Sequence, residues 1–275
     1  MIEQILEKVR YCLSKIANIE GIVLGGSRAR GTHTEDSDID IGIYYSEPLD
    51  IKILNEIAAD LDDENRENLI GPIGSWGNWV NTGGWLIIHG YHVDLIFRDI
   101  NRVKEVIEQC EQGIITTHYH AGHPHAYISS MYRGELATSR LLYSKTDSFI
   151  ELKNRAETYP PPMKKAMIDY FSFEAGFSLT LAKTYASKPD KYYVAGILFR
   201  MVSCMNQVLF ALNEEYCLNE KKAITMIDKF KLKPDEYSKR VNFIFEHLGD
   251  SIEGSVKTAE DLYNQIQETN ATEHL

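Results

Sequence analysis

The sequence predicts an α+β fold, with a β-sheet and flanking helices in the first part of the chain and mainly helices in the second. Residues 38–45 alternate between polar and apolar side chains, and residues 85–97 hold two apolar runs separated by a glycine, which are strand patterns. After the three prolines at 160–162, long apolar segments follow the period of a helix. At 275 residues, the chain is long enough for one large domain or two modest ones.

The first hundred residues switch between helical and strand patterns. Helical patterns cover residues 1–17 and 50–66, and strand patterns cover residues 21–26, 38–45, 85–89 and 92–97. The last two runs predict an antiparallel hairpin around Gly90, preceded by another strand that ends at Gly83-Gly84. Trp76, Trp79 and Trp85 are expected in the core, because large aromatic side chains in hairpins usually close one.

The second half has the pattern of a helical bundle. Two long helical segments cover residues 163–186 and 191–216, and shorter ones lie at residues 241–248 and 258–269. Residues 116–129 contain Gly122 and Pro124 and are predicted to be a loop near a domain junction.

The composition is typical of a soluble, cytoplasmic globular protein. Hydrophobic residues make up 44% and charged residues 25% of the chain. No apolar run approaches the roughly 18 residues needed to span a bilayer, so we expect no transmembrane segment and no membrane partner. The four cysteines lie far apart and in no paired pattern, which favours reduced thiols in the cytoplasm.

The net charge of −11 makes long nucleic acids unlikely partners, because proteins that bind a phosphate backbone usually concentrate Lys and Arg. The same charge is compatible with a small cationic acceptor.

Three acidic residues and a glycine turn form a candidate catalytic site. Asp38 and Asp40 are two residues apart on a predicted strand and therefore share one face. Gly26-Ser27 follows another strand, where backbone without a Cβ can approach a phosphate chain and the Ser27 hydroxyl can bind it. Asp94 lies among apolar residues, which is an unusual environment for a charge that has no partner.

Converging carboxylates repel one another, and a divalent cation relieves that repulsion. Mg²⁺ prefers carboxylate and phosphate oxygens, so Asp38, Asp40 and Asp94 are the candidate metal ligands. Two such ions can activate an attacking hydroxyl and stabilise the leaving oxygen in a displacement at phosphorus. The sequence thus predicts nucleotidyl transfer.

These motifs resemble the polymerase-β-like nucleotidyltransferase superfamily. Gly26-Ser27, ten further residues, Asp38-Ile39-Asp40 and the later Asp94 match its signature. Residues 26–43 are especially similar to the minimal nucleotidyltransferases and to bacterial antibiotic-modifying ones. The resemblance covers roughly the first 100 residues. It implies ATP or another nucleoside triphosphate as donor, Mg²⁺, and pyrophosphate as product, whereas it leaves the acceptor open.

Four further features have a functional and a structural interpretation each. Arg28 is a candidate triphosphate ligand or an ordinary surface charge that pairs with a nearby acid. Lys191 begins a long helix and could neutralise phosphate, although simple packing explains this segment equally well. Glu174 lies on an apolar helix face. It is either a general base of the kind that the antibiotic-modifying enzymes imply or the ion-pair partner of Arg200.

The fourth feature is the histidine cluster from His118 to His125, which suggests zinc, an acceptor pocket, or packing and hydrogen bonding. The last of these is favoured, because the spacing matches no familiar zinc site.

We therefore predict an α+β enzyme in which a nucleotidyltransferase domain (residues 1–145), with a small mixed β-sheet flanked by helices, precedes a C-terminal helical bundle (residues 146–275). It would transfer a nucleoside monophosphate, AMP if ATP is the donor, to a hydroxyl of a small molecule such as an aminoglycoside or lincosamide antibiotic. The alternatives are nucleotidylation of a protein or tRNA, as in toxin–antitoxin pairs, and a non-catalytic nucleotide-binding module. The sequence leaves the oligomeric state open.

Overall fold

The computed structural model describes residues 1–188 and 190–273 of the chain. The strands are β1 (Ile19–Leu24), β2 (Ile39–Tyr45), β3 (Thr82–Ile88), β4 (Tyr91–Asp99), β5 (Thr117–His120), β6 (His123–Ile128) and β7 (Arg140–Ser144). The helices are α1 (Ile2–Leu13), α2 (Gly26–Ala29), α3 (Ile51–Leu61), α4 (Ile100–Glu111), α5 (Ser130–Ala137), α6 (Asp147–Glu157), α7 (Pro161–Tyr185), α8 (Lys191–Leu212), α9 (Ala223–Ile227), α10 (Tyr237–Glu246) and α11 (Ile252–Glu273). These elements make the chain α+β, as predicted.

Packing divides the chain into two compact units. Unit 1 comprises residues 1–109 and 132–158, and unit 2 comprises residues 110–131 and the described residues from 159 onward. The division into functional domains at residue 145 remains a prediction.

Unit 1 is built on a five-stranded mixed sheet in the order β3-β4-β2-β1-β7. Strands β2 and β4 run parallel, and the other neighbouring pairs are antiparallel. Helices α1 and α3 pack over the apolar face of this sheet, where Ile39, Ile41 and Ile43 are fully buried. The alternation of β2 leaves Asp40 and Gly42 on the opposite face.

Most of the predicted elements of unit 1 are confirmed, and two boundaries are corrected. The hairpin β3–β4 turns at His89-Gly90, both of which have positive φ. Gly83 and Gly84 do not end a separate strand, since they lie inside β3. Helix α3 ends at Leu61, five residues short of the predicted end. The next residue, Asp62, has an extended backbone, and its carboxylate accepts the backbone N–H of Ile87 in β3.

Unit 2 consists mainly of helices. Helices α7 and α8 pack along each other, and α11 packs against both. The prediction of a loop at residues 116–129 was wrong, because β5 and β6 pair as an antiparallel hairpin in this segment.

Within the described residues, α8 is long and apolar enough to cross a membrane by length and composition, with a mean hydropathy of 1.5 over its most apolar window. The expectation that the chain has no transmembrane segment remains a prediction. Of that window, 72% is buried within the protein, as in the core helix of a soluble domain.

Candidate active site

The register of the sheet brings two of the predicted carboxylates together. Asp40 on β2 and Asp94 on β4 are direct partners across the parallel pair, and both are half-buried. Paired residues on neighbouring strands point to the same face, about 5 Å apart. Asp38 immediately precedes β2 and is exposed.

Gly26 lies directly against this pair of strands. Its φ is +59°, and a Cβ on Gly26 would overlap Oδ2 of Asp40. The preceding Gly25 donates its backbone N–H to the carbonyl oxygen of Asp40 at 2.8 Å. The turn that holds Ser27 is therefore fixed to the strand that holds Asp40. Position 26 must be a glycine for steric reasons, because a side chain there would collide with the Asp40 carboxylate.

The carboxylates are close enough to affect one another's protonation. Burial and the negative charges of Asp40 and Asp38 raise the pKa of Asp94 to about 6, against a smaller opposing effect of His92. A cation bound among these groups would relieve this repulsion.

The carboxylate donor set fits Mg²⁺, which prefers oxygen ligands. The Cβ-free backbone at Gly26 fits a phosphate group, which accepts hydrogen bonds from backbone N–H groups. The three carboxylates do not form a closed metal cage, since no group of three or more His, Cys, Asp or Glu side chains in residues 1–188 and 190–273 is arranged to hold an ion. Mg²⁺ binding by Asp38, Asp40 and Asp94 accordingly remains a prediction.

Arg28 is bound to its own loop. Its Nε donates to the carbonyl oxygens of Ser37 and Asp38, each at 3.1 Å, and its Nη2 donates to those of Ser37 and Glu35 at 2.5 and 3.2 Å. The guanidinium thus holds the loop that leads into β2, which positions Asp38. A role as a triphosphate ligand remains a prediction, and the observed partners are carbonyl oxygens.

Two other predicted site residues, Glu174 and Lys191, belong to unit 2. Glu174 forms the ion pair with Arg200 that the sequence offered as the structural alternative, and the Glu174 side chain is 16% exposed. The side chains of Glu174 and Arg200 line two adjoining cavities of about 190 and 260 Å³. Lys191 starts α8 and donates to the carbonyl oxygen of Gly249 at 2.6 Å. The catalytic role of Glu174 and the phosphate-binding role of Lys191 remain predictions.

The clustered histidines make packing contacts in unit 2. His118 Nε2 lies 2.8 Å from Thr116 Oγ1. His123 Nδ1 lies 3.6 Å from a Glu220 carboxylate oxygen. His125 Nε2 lies 3.7 Å from Cys204 Sγ. These contacts are of the kind that packing and hydrogen bonding predict, but His118 and His125 also line the cavity of about 190 Å³ beside Glu174, so the role of the cluster stays a prediction.

Sequence reasoning missed the position of Trp85. The prediction that all three tryptophans are core was wrong, because the Trp85 side chain is 62% exposed, whereas Trp79 is buried. Trp85 is the direct cross-strand partner of Asp94 and so shares the face of the carboxylates. Strand alternation could have revealed this, since the neighbouring Leu86 and Ile88 are buried in the core.

Comparison with known protein families gives a match over one domain of the chain. Residues 6–115 match the model of the nucleotidyltransferase domain family. The chain therefore carries a nucleotidyltransferase domain in its N-terminal part, and the predicted enzyme class, transfer of a nucleoside monophosphate, is confirmed.

Two solved structures resemble the chain more loosely. A nucleotidyltransferase-like protein from Exiguobacterium sibiricum has 9% identity and a TM-score of 0.46, covering 99% of this chain and 75% of its own. A spectinomycin adenyltransferase from Enterococcus faecialis, crystallised with ATP and spectinomycin, has 18% identity and a TM-score of 0.39, covering 96% of this chain and 99% of its own. No match was found among curated proteins.

Proposed function

We propose that this protein transfers AMP from Mg·ATP to a hydroxyl group of a small, amine-bearing acceptor of the aminoglycoside or lincosamide type, in the cytoplasm. The observation that carries the proposal is the register of Asp40 with Asp94 beside the Cβ-free backbone of Gly26. The amine is inferred from the net charge of −11, which attracts a cationic acceptor.

In the proposed reaction the acceptor oxygen attacks the α-phosphorus of ATP. A new phosphorus–oxygen bond forms, the bond from the α-phosphorus to the bridging oxygen of the β-phosphate breaks, and pyrophosphate leaves with that electron pair. The hydroxyl proton passes to a carboxylate, for which Asp94 is the candidate beside Asp40 and Glu174 is the alternative in unit 2. Gly26 and Ser27 lie against the triphosphate.

Mg²⁺, when bound by Asp38, Asp40 and Asp94, supplies the positive charge that offsets the charge of the triphosphate. Arg28 acts indirectly, because its guanidinium donates hydrogen bonds to carbonyl oxygens of the loop that ends at Asp38. This assignment makes the Arg28 side chain a positioning group for a metal ligand.

The first prediction concerns Asp40. Transfer of label from α-labelled Mg·ATP to a panel of kanamycin, spectinomycin and lincomycin should occur with the native protein and stop when EDTA removes the metal. Asp40→Asn should lower the rate by about 10²- to 10³-fold, because the amide is a weaker metal ligand without charge.

Asp36→Asn is the matched control, since Asp36 is an exposed acid in the same loop. Equal losses in both variants would contradict the assignment of Asp40. Label on a co-expressed protein or on tRNA, with none on the panel, would replace the small-molecule acceptor by one of the macromolecular alternatives. Nucleotide binding without transfer to any of these acceptors would instead favour the non-catalytic module.

A further inference from the structure

The face of the sheet that carries the carboxylates also carries an exposed indole. Asp40 pairs with Asp94, and Asp94 pairs with Trp85, so the three residues form one row across β2, β4 and β3. Neighbouring strands are about 4.8 Å apart, which puts the Cα atoms of Asp40 and Trp85 roughly 10 Å apart. This is the dimension of a phosphoryl group and one sugar-sized ring.

A second tryptophan holds the Trp85 ring in place. The two rings of Trp76 and Trp85 stack with their centroids 4.7 Å apart and their planes 29° from parallel. Gly83 is required for this arrangement, because a Cβ there would overlap the Trp76 ring. Trp85 nevertheless remains 62% exposed, so the pair leaves most of one indole surface in solvent beside Asp94.

The geometry of attack at phosphorus indicates which substrate this indole faces. In displacement at phosphorus the attacking and leaving oxygens are roughly in line. Gly26 contacts Asp40 at one end of the row, where the triphosphate and its pyrophosphate leaving group are expected. The attacking hydroxyl then arrives from the opposite end, which is the end of Trp85.

We propose that Trp85, braced by Trp76, binds the acceptor and not the base of the nucleotide. The inference rests on the proposed function and adds the chemistry of the acceptor: a hydroxylated, saturated ring that bears an amine. The apolar face of such a ring stacks on the exposed indole. Its ammonium group gains a cation–π contact, for which tryptophan is the best aromatic partner.

Fluorine NMR of protein labelled with 5-fluorotryptophan tests the contact without measuring catalysis. The chain contains three tryptophans, and Trp85→Phe assigns the resonance of Trp85. The complex with Mg²⁺ and α,β-methylene-ATP serves as the reference, because a cation bound at Asp94 lies beside Trp85 and shifts its resonance by charge alone. Subsequent addition of kanamycin, spectinomycin or 2-deoxystreptamine at millimolar concentration should shift it, while the resonance of the buried Trp79 stays in place.

Binding and rate measurements supply the second test. Trp85→Ala should raise the KM for the acceptor about tenfold or more and leave the Kd of Mg·ATP within about twofold, and Trp85→Phe should recover part of the loss. Tyr11→Ala removes another exposed aromatic side chain of unit 1 and should change neither value.

Four outcomes would overturn the inference. They are a Kd of Mg·ATP raised well beyond twofold in Trp85→Ala, no shift with any of the three ring compounds, unchanged acceptor KM in Trp85→Ala, and a Trp85→Ala variant that dissociates a native dimer in light scattering. A shift of Trp85 by a ring compound, without label transfer, would leave the binding site intact and contradict the proposed function instead.

Discussion

Gly26 combines a backbone conformation of φ +59° with direct approach to the carboxylate of Asp40. Gly26→Ala would therefore impose two penalties. The left-handed conformation costs an L-residue roughly 1–2 kcal/mol, and the new methyl group would displace the carboxylate. A displacement of this kind lowers activity by about 10²-fold, because the carboxylate no longer meets the reacting groups. Label transfer and the Kd of Mg·ATP measure the effect.

Gly31→Ala separates these two penalties. Gly31 also has a positive φ, of +67°, but no atom lies within 4 Å of the position that its Cβ would take. In urea unfolding, Gly31→Ala should lose an amount of stability similar to the conformational penalty of Gly26→Ala, without the steric one. It should keep most of the activity. Equal activity in the two variants would show that the contact between Gly26 and Asp40 is not needed for the reaction.

Individual residues differ in how far the sequence determines their role. Asp40 and Asp94 were predictable as a pair, because local strand patterns and motif spacing carry that information. The partners of Arg28 were not, since four hydrogen bonds to carbonyl oxygens depend on the path of the loop from residue 31 to residue 38. The motif indicates that a cationic side chain lies near the site. Whether that side chain binds phosphate or protein oxygens depends on the path of the backbone, which the motif does not specify.

At the scale of elements, Asp62 fastens the end of α3 to strand β3. Its carboxylate accepts the backbone N–H of Ile87 at 2.8 Å and the guanidinium of Arg66 at 2.6 and 3.0 Å. Asp62→Asn should destabilise the protein by about 2 kcal/mol at pH 7, because it removes the charge from a buried carboxylate that accepts hydrogen bonds from a partly exposed guanidinium and from backbone. Asp60 is an exposed acid two residues earlier, in the last turn of α3, and Asp60→Asn should leave stability nearly unchanged.

The pH dependence of this difference has a definite sign. Hydrogen bonds from the Arg66 side chain hold the pKa of Asp62 well below its usual range. A carboxyl group with a lowered pKa in the folded state stabilises the protein above its unfolded pKa and loses that effect as the pH falls toward the folded value. Urea unfolding should therefore show the gap between native protein and Asp62→Asn narrowing below about pH 4. A gap that widens on acidification would contradict this origin.

The β5–β6 hairpin shows why one element was missed. Gly122 and Pro124 interrupt its pattern, and the strands are short. A carboxylate oxygen of Glu220 accepts the backbone N–H groups of His125 and Ala126 at 2.8 and 3.2 Å, so the strand is stabilised by a residue about a hundred positions away. The strand β7 is likewise held by pairing with β1 across more than a hundred residues. Local periodicity carries no information about such contacts.

At the scale of the whole molecule, the net charge of −11 produces a field that acts before any contact forms. This field concentrates cationic acceptors and repels Mg·ATP, which is itself anionic, so the two substrates should respond to salt in opposite directions. The fold explains none of this behaviour, since charge depends on composition, and composition was known from the sequence alone.

A comparison of charged and neutral acceptors isolates the effect of the field. At saturating Mg·ATP, raising ionic strength from about 10 mM to about 150 mM shortens the Debye length from about 30 Å to about 8 Å. The kcat/KM for an amine-bearing acceptor such as kanamycin should then fall by roughly three- to tenfold, because the long-range attraction is screened. The N-acetylated form of the same acceptor keeps the ring and most hydroxyl groups without the charges, and its smaller kcat/KM should change by less than about twofold. An identical salt response of the two forms would mean that the acidic surface does not recruit the acceptor, and the amine would then have to be recognised by short-range contacts such as the one proposed for Trp85.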